Sequence, residues 1–151
     1  MLFIPLRRHA LALALLLQSL CLPAFAALGA DVSTVSADGL KMKGMVHVSV
    51  TSAYSVHEIE TPSGTLVREY VSAAGKVFGV AWRGPRMPDL EQTLGVYFKQ
   101  YSEAPRTADH KHFALTAPGL VMQSSARMHA YSGRAYVPEL MPQNVSATDI
   151  K

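Results

Sequence analysis

His110-Lys111-His112 is the segment whose residue types and spacing come nearest to chemistry. On an extended backbone, residues i and i+2 face the same side, so two imidazoles could share one metal ion with Asp109 beside them. A zinc centre needs three or four ligands in a tetrahedron, and His47, His57 or His129 would have to complete it. The plainer reading of the same stretch is a polar loop with solvated histidines. Elsewhere the residue types occur without the spacing. His57-Glu58 point to opposite faces of a strand, as do Arg68-Glu69. Glu58, Glu60 and Glu69 are expected to meet basic cross-strand partners rather than to form a carboxylate pair. Ser132-Gly133 matches no nucleophile elbow and reads as a hairpin turn. No glycine-rich phosphate loop can be written. Arg83, Arg86, Arg106, Arg127 and Arg134 are scattered among acids, with no basic stripe to hold nucleic acid. No catalytic or cofactor-binding residue and no cofactor is therefore expected, and His110 and His112 are the only metal candidates.

What must position such residues begins after residue 26. Arg7-Arg8-His9 is a short basic start, Ala10 to Leu22 is an apolar run broken only by Gln18 and Ser19, and Ala24-Phe25-Ala26 follows Pro23. This is the three-part pattern of a signal peptide, with cleavage expected between Ala26 and Ala27. The run is shorter than the roughly 20 residues of a spanning helix, so no stable membrane anchor is expected once it is cut. Cys21 lacks the small residue before it that lipid attachment needs. With residues 1–26 removed, 12 basic residues face 11 acidic ones and no thiol remains. That excludes disulfides, a cysteine nucleophile and thiolate metal sites. The 27–151 segment suits one α+β domain.

In that segment the hydrophobic period is mostly two. Val46, Val48 and Val50 alternate with polar residues, and the pattern resumes over Tyr54–Thr61. Pro62-Ser63-Gly64 and Ala74-Gly75-Lys76 are turns flanking a strand at Thr65–Ser72, and Val77–Trp82 is the next strand. There Phe78, Val80 and Trp82 are expected on one face and Val77, Gly79 and Ala81 on the other, the small side implying a close neighbour. Leu90, Leu94, Tyr97, Phe98 and Tyr101 form one helical stripe, predicting a helix over Pro88–Tyr101 with Gly95 as a weak point. Strands are expected at His112–Thr116, Leu120–Ser124, Arg127–Tyr131 and Arg134–Val137. Ser33–Met42 could form a short helix, with Val35, Leu40 and Met42 partly buried and Gly39 weakening it. Trp82, Tyr131 and Tyr136 are expected in the core. The predicted fold is an antiparallel sheet of five to six strands with one main helix on one face. Its core would be Phe78, Val80, Trp82, Leu94, Phe98, Leu120 and Met122.

Val67-Arg68-Glu69-Tyr70-Val71, Gly75, Val77-Phe78, Ala81-Trp82, Gly84-Pro85 and Pro88-Asp89-Leu90 carry a resemblance that continues through Leu94-Gly95, Tyr97-Phe98 and Met128 to Ser132-Gly133-Arg134-Ala135-Tyr136 and Pro138. The chain resembles a bacterial family of small exported proteins catalogued as domain of unknown function 2844. The resemblance implies export in a Gram-negative bacterium and no particular activity. Gly39, after Ser36-Ala37-Asp38, departs from it. The functional expectation is an exported, periplasmic or secreted module that is not an enzyme and binds another protein or an envelope component, not nucleic acid. The alternative is a metal-binding protein or metal-dependent hydrolase using His110 and His112.

Overall fold

The computed structural model describes residues 28–106 and 111–151. The expected signal peptide and its cleavage point, as well as His110 and Asp109, lie outside the described residues. Seven strands form one antiparallel sheet: β1 (Met45–Val50), β2 (Tyr54–Glu60), β3 (Leu66–Ser72), β4 (Val77–Gly84), β5 (His112–Ala117), β6 (Leu120–Arg127) and β7 (Ala130–Tyr136). Their order is β1-β2-β3-β4-β7-β6-β5, two meanders joined where β4 pairs with β7. The chain therefore leaves β4 mid-sheet and re-enters at the far edge.

Two helical segments cover one face, so the expectation of five to six strands and one main helix is corrected on both counts. The first is a 3-10 turn, Val32–Thr34, running into α1 (Val35–Lys41). Asp31 caps it by accepting from the Ser33 amide at 3.0 Å. The second runs through α2 (Leu90–Leu94), a 3-10 turn (Gly95–Tyr97) and α3 (Phe98–Glu103). Asp89 caps α2 by accepting from the Gln92 amide at 3.1 Å. The predicted continuous helix breaks because Gly95 takes φ +53°, a conformation open to glycine and not to a helix interior. Periodicity could not register the first helix as a covering element: Leu40 is exposed, and its buried contacts come from Val35 and Asp38. Gly39 lets this helix approach β1, since a Cβ there would overlap the Val46 side chain.

The core is split between the two faces. Under the helices lie Ile59, Val67, Val80, Trp82, Leu94, Leu120 and Met122. On the opposite face Tyr70, Phe78, Ala81 and Ile150 form a second cluster. The β3–β4 register shifts between Tyr70 and Val71, leaving Phe78 as an extra residue. That bulge sends Phe78 to the face opposite Val80 and Trp82, correcting the single-face assignment. Phe98 is only half-buried. The expected close neighbour of the small side is Ile150: fully buried, it sits where a Cβ on Gly79 would come within 2.8 Å of its Cδ1. The closing segment, 137–151, thus lies against the second face. Arg134 Nη1 donates to the carbonyls of Ala147 (2.6 Å) and Ile150 (3.4 Å), and Arg68 Nη1 and Tyr70 Oη each donate to the Lys151 oxygen at 2.8 Å.

The turn expected at Ser132-Gly133 falls instead at Met128-His129, where Arg127 pairs with Ala130 and His129 takes φ +55°. Gly133 is mid-strand opposite Trp82, and a Cβ there would overlap the indole. Its glycine makes room for a ring, not for a turn. Among the described residues no helix is long and apolar enough to cross a membrane.

Candidate functional site

Strand register brings together residues from both meanders. On the face that carries the closing segment, Arg83 of β4 lies opposite Ser132 of β7, Ser132 opposite Ser125 of β6, and Ser125 opposite His112 of β5. The next row reads Arg68, Ala81, Arg134, Gln123 and Ala114 from β3 across to β5. Residues directly opposite in an antiparallel pair have Cβ atoms about 5 Å apart, so the first row is one continuous polar strip. The closing segment covers the β2–β4 side and stops short of β5. Between them runs a groove of about 740 Å³, floored by Gln123, Ser125, Ser132 and Arg134 and walled by Ile150-Lys151 and His112. Two smaller hollows of about 400 and 380 Å³ adjoin it, and Ser132 lines all three.

Arg134 is the fixed element of this surface. Its Nε and Nη2 donate to Gln123 Oε1 at 3.2 and 2.9 Å while Nη1 holds the closing segment. Arg68 is also engaged, donating from Nε to Glu58 at 2.7 Å across the β2–β3 pair. The sequence had suggested only scattered arginines. Folding collects Arg68, Arg83, Arg127 and Arg134 around Ser132, because their strand positions share one parity once the hairpins are in register. Only the pairing of β4 with β7, which has no local signal, could reveal that.

The other chemically unusual cluster is buried beneath α1. Asp38 of α1 and Glu69 of β3 are sealed from solvent, and Gln92 of α2 donates to Asp38 Oδ1 at 2.6 Å. Among the described residues Asp38 Oδ2 and both Glu69 oxygens have no donor from a third side chain or the backbone, which leaves the two carboxyls to each other. Two ionised carboxylates cannot satisfy each other, so the pair shares a proton. Burial, the Asp38 charge and the hydrogen bond to Asp38 push the Glu69 carboxyl from 4.5 up to about 9. Burial also raises Asp38, opposed by its hydrogen bonds to Gln92 and Glu69. Glu69 thus meets an acid where a basic partner was expected. A sealed pair of this kind fastens a helix to a sheet; neither carboxyl lines the groove or its two adjoining hollows.

Of the metal candidates, His112 opens β5 at one edge of the sheet and is exposed. His47 lies on β1 at the other edge, six strand spacings or about 29 Å away. His57 on β2 is in contact with the Ser55 hydroxyl at 3.2 Å, and burial lowers its pKa. Neither can join His112 on one ion. Among the described residues no three His, Cys, Asp or Glu side chains gather as a ligand set. Trp82 is core as expected, Tyr136 packs against the second cluster, and Tyr131 lines the smallest of the three hollows.

A family model described as protein of unknown function (DUF2844) matches residues 24–150. No curated protein and no solved structure shows significant similarity to the chain.

Proposed function

The chain belongs to the DUF2844 family, and on that footing we propose that it is an exported, non-enzymatic binding module whose ligand face is the groove between the closing segment and β5. It works in the periplasm or outside the cell, on an envelope component or a protein. The leader-like residues 7–26 support the destination. The observation that carries the binding role is the groove itself. It is a concave surface of about 740 Å³ whose floor offers hydroxyl, amide and guanidinium groups on rigid strands. Arg134, tied to Gln123 and to the closing segment, holds one wall against the floor, so little ordering remains to be done when a ligand docks. The side chains there are groups that bind and orient a ligand.

A photo-activated cross-linking residue at Ser125, in the groove, tests this against the same residue at Leu40, exposed on the helix side. Discrete adducts are expected in envelope preparations from the Ser125 protein and not from the Leu40 protein. Equal labelling from both positions, or none from Ser125, contradicts the proposal. Recovery of the protein in the cytoplasm with residues 1–26 retained contradicts the destination.

A further inference from the structure

We infer that the Ser132-centred hollows form a binding site for a phosphoryl-type oxyanion, gripped between Arg83 and Arg127 with the Ser125 and Ser132 hydroxyls as its floor. The inference deepens the reading of the groove as a ligand face and rests on it.

Charge comes first. No Asp or Glu among the described residues lines the main groove or either adjoining hollow. Arg68, Arg83, Arg127, Arg134 and Lys151 all do, in a chain whose basic and acidic totals are nearly balanced. The excess is local. The cations are also not alike. Arg68 is spent on Glu58 and the Lys151 oxygen, and Arg134 on Gln123 and the closing segment. Arg83 and Arg127 are exposed and have no hydrogen-bond or ion-pair partner among the described residues, and the Ser125 and Ser132 hydroxyls have none either.

Geometry then places these four groups together. Arg83 is the register partner of Ser132, about 5 Å away at Cβ. Ser132 is the partner of Ser125. Arg127 is two residues beyond Ser125 on the same face of β6, about 7 Å along the strand. All four line the 380 Å³ hollow, with Arg83 placed on its β4 side and Arg127 on its β6 side by the strand register. A planar carboxylate is matched by one guanidinium in a bidentate pair, whereas a phosphoryl group spreads its charge over several oxygens directed apart. Donors converging from two flanks and a floor suit the second. The oxyanion could come from a soluble phosphorylated ligand or from an anionic lipid headgroup, whose phosphate presents the same chemistry.

The test uses the full exported chain at low ionic strength. Inorganic phosphate is titrated by calorimetry, and sedimentation is measured with phosphatidylglycerol vesicles and with phosphatidylcholine vesicles. Saturable phosphate binding, or retention on phosphatidylglycerol and not phosphatidylcholine, is expected, and weakens as salt is added. Response to phosphate alone identifies a soluble ligand, and response to phosphatidylglycerol alone identifies the headgroup. Arg83→Gln and Arg127→Gln should each weaken the response about tenfold, as loss of a charge-assisted hydrogen bond does. Lys99→Gln, on an exposed turn of α3 on the other face, should change nothing. Near-ultraviolet circular dichroism checks that each variant is folded. No response to either probe, or a response that Arg83→Gln and Arg127→Gln leave intact, overturns the inference. Cross-linking at Ser125 without any phosphate or headgroup response overturns the oxyanion and leaves the groove as the ligand face.

Discussion

Glu69→Gln should stabilise the fold at neutral and alkaline pH, although it removes a charge-capable side chain from a fully buried position. The Glu69 carboxyl is raised from 4.5 to about 9 by burial and by Asp38. Between those values the folded chain keeps a proton that the unfolded chain has released. Stability from this group is therefore complete below about pH 4.5 and is lost progressively as pH rises towards 9. Near neutrality the unfolded carboxyl has passed its pKa by about 2.5 pH units, worth about 3 kcal/mol at 1.36 kcal/mol per unit. Glutamine carries its donor at every pH, so it can hold Asp38 without taking up a proton. The variant should gain most of that 3 kcal/mol near neutrality and more at alkaline pH, and should match the parent in mild acid. Urea unfolding followed through the single tryptophan, Trp82, buried on the sheet's helix side, reads the difference directly. The parent should lose stability from mild acid to mild alkali more steeply than Glu69→Gln, whose remaining slope comes from Asp38, itself raised by burial. Parallel pH profiles for the two proteins would refute the shared-proton account of Asp38 and Glu69.

The closing segment should depend on one side chain. Ile150→Ala is expected to cost about 2–5 kcal/mol and to raise proteolysis after β7, whereas an unchanged melting temperature and cleavage pattern would show that the segment is held otherwise. Gly79→Ala should weaken the same contact from the opposite side, because its Cβ would lie 2.8 Å from the isoleucine; melting temperature is the readout. Gly133→Ala should force Trp82 to move, lowering stability and shifting its fluorescence, and an unaltered spectrum would count against the packing described. Breaking the half-exposed Glu58–Arg68 pair with Arg68→Met should cost no more than about 1 kcal/mol from the pair itself, with additional loosening of Lys151 visible by hydrogen exchange.

Much of the sheet was legible because its signals are local. Val46, Val48 and Val50 with period two, and the turns at Pro62-Ser63-Gly64 and Ala74-Gly75-Lys76, correspond to β1 and to the β2–β3 and β3–β4 connections. The failures share a different physics. Gly133 looked like a turn residue because glycine permits turns; its actual reason, the Trp82 ring opposite, lies on another strand. Phe78 changed faces because of a bulge that alternation cannot show. The carboxyl pair was invisible because Asp38 lies on a short helix whose burial is set by tertiary contact with β3, not by any period of its own. The groove was hidden for the same reason: Arg83 and Arg127 become neighbours only through the long-range pairing of β4 with β7 and the hairpin of β6 with β7.

A ligand bound at the groove must touch β4, β6 and β7 and not the helix side. Amide chemical shifts of the isotope-labelled chain, followed while inorganic phosphate is added at low ionic strength, report that position residue by residue. Shifts concentrated at Arg83, Ser125, Arg127, Ser132 and Gly133, with Val35, Leu94 and the rest of the helix side unmoved, are the predicted result. Shifts confined to the helix side, or none at the groove with inorganic phosphate and none with a water-soluble short-chain phosphatidylglycerol, would contradict it.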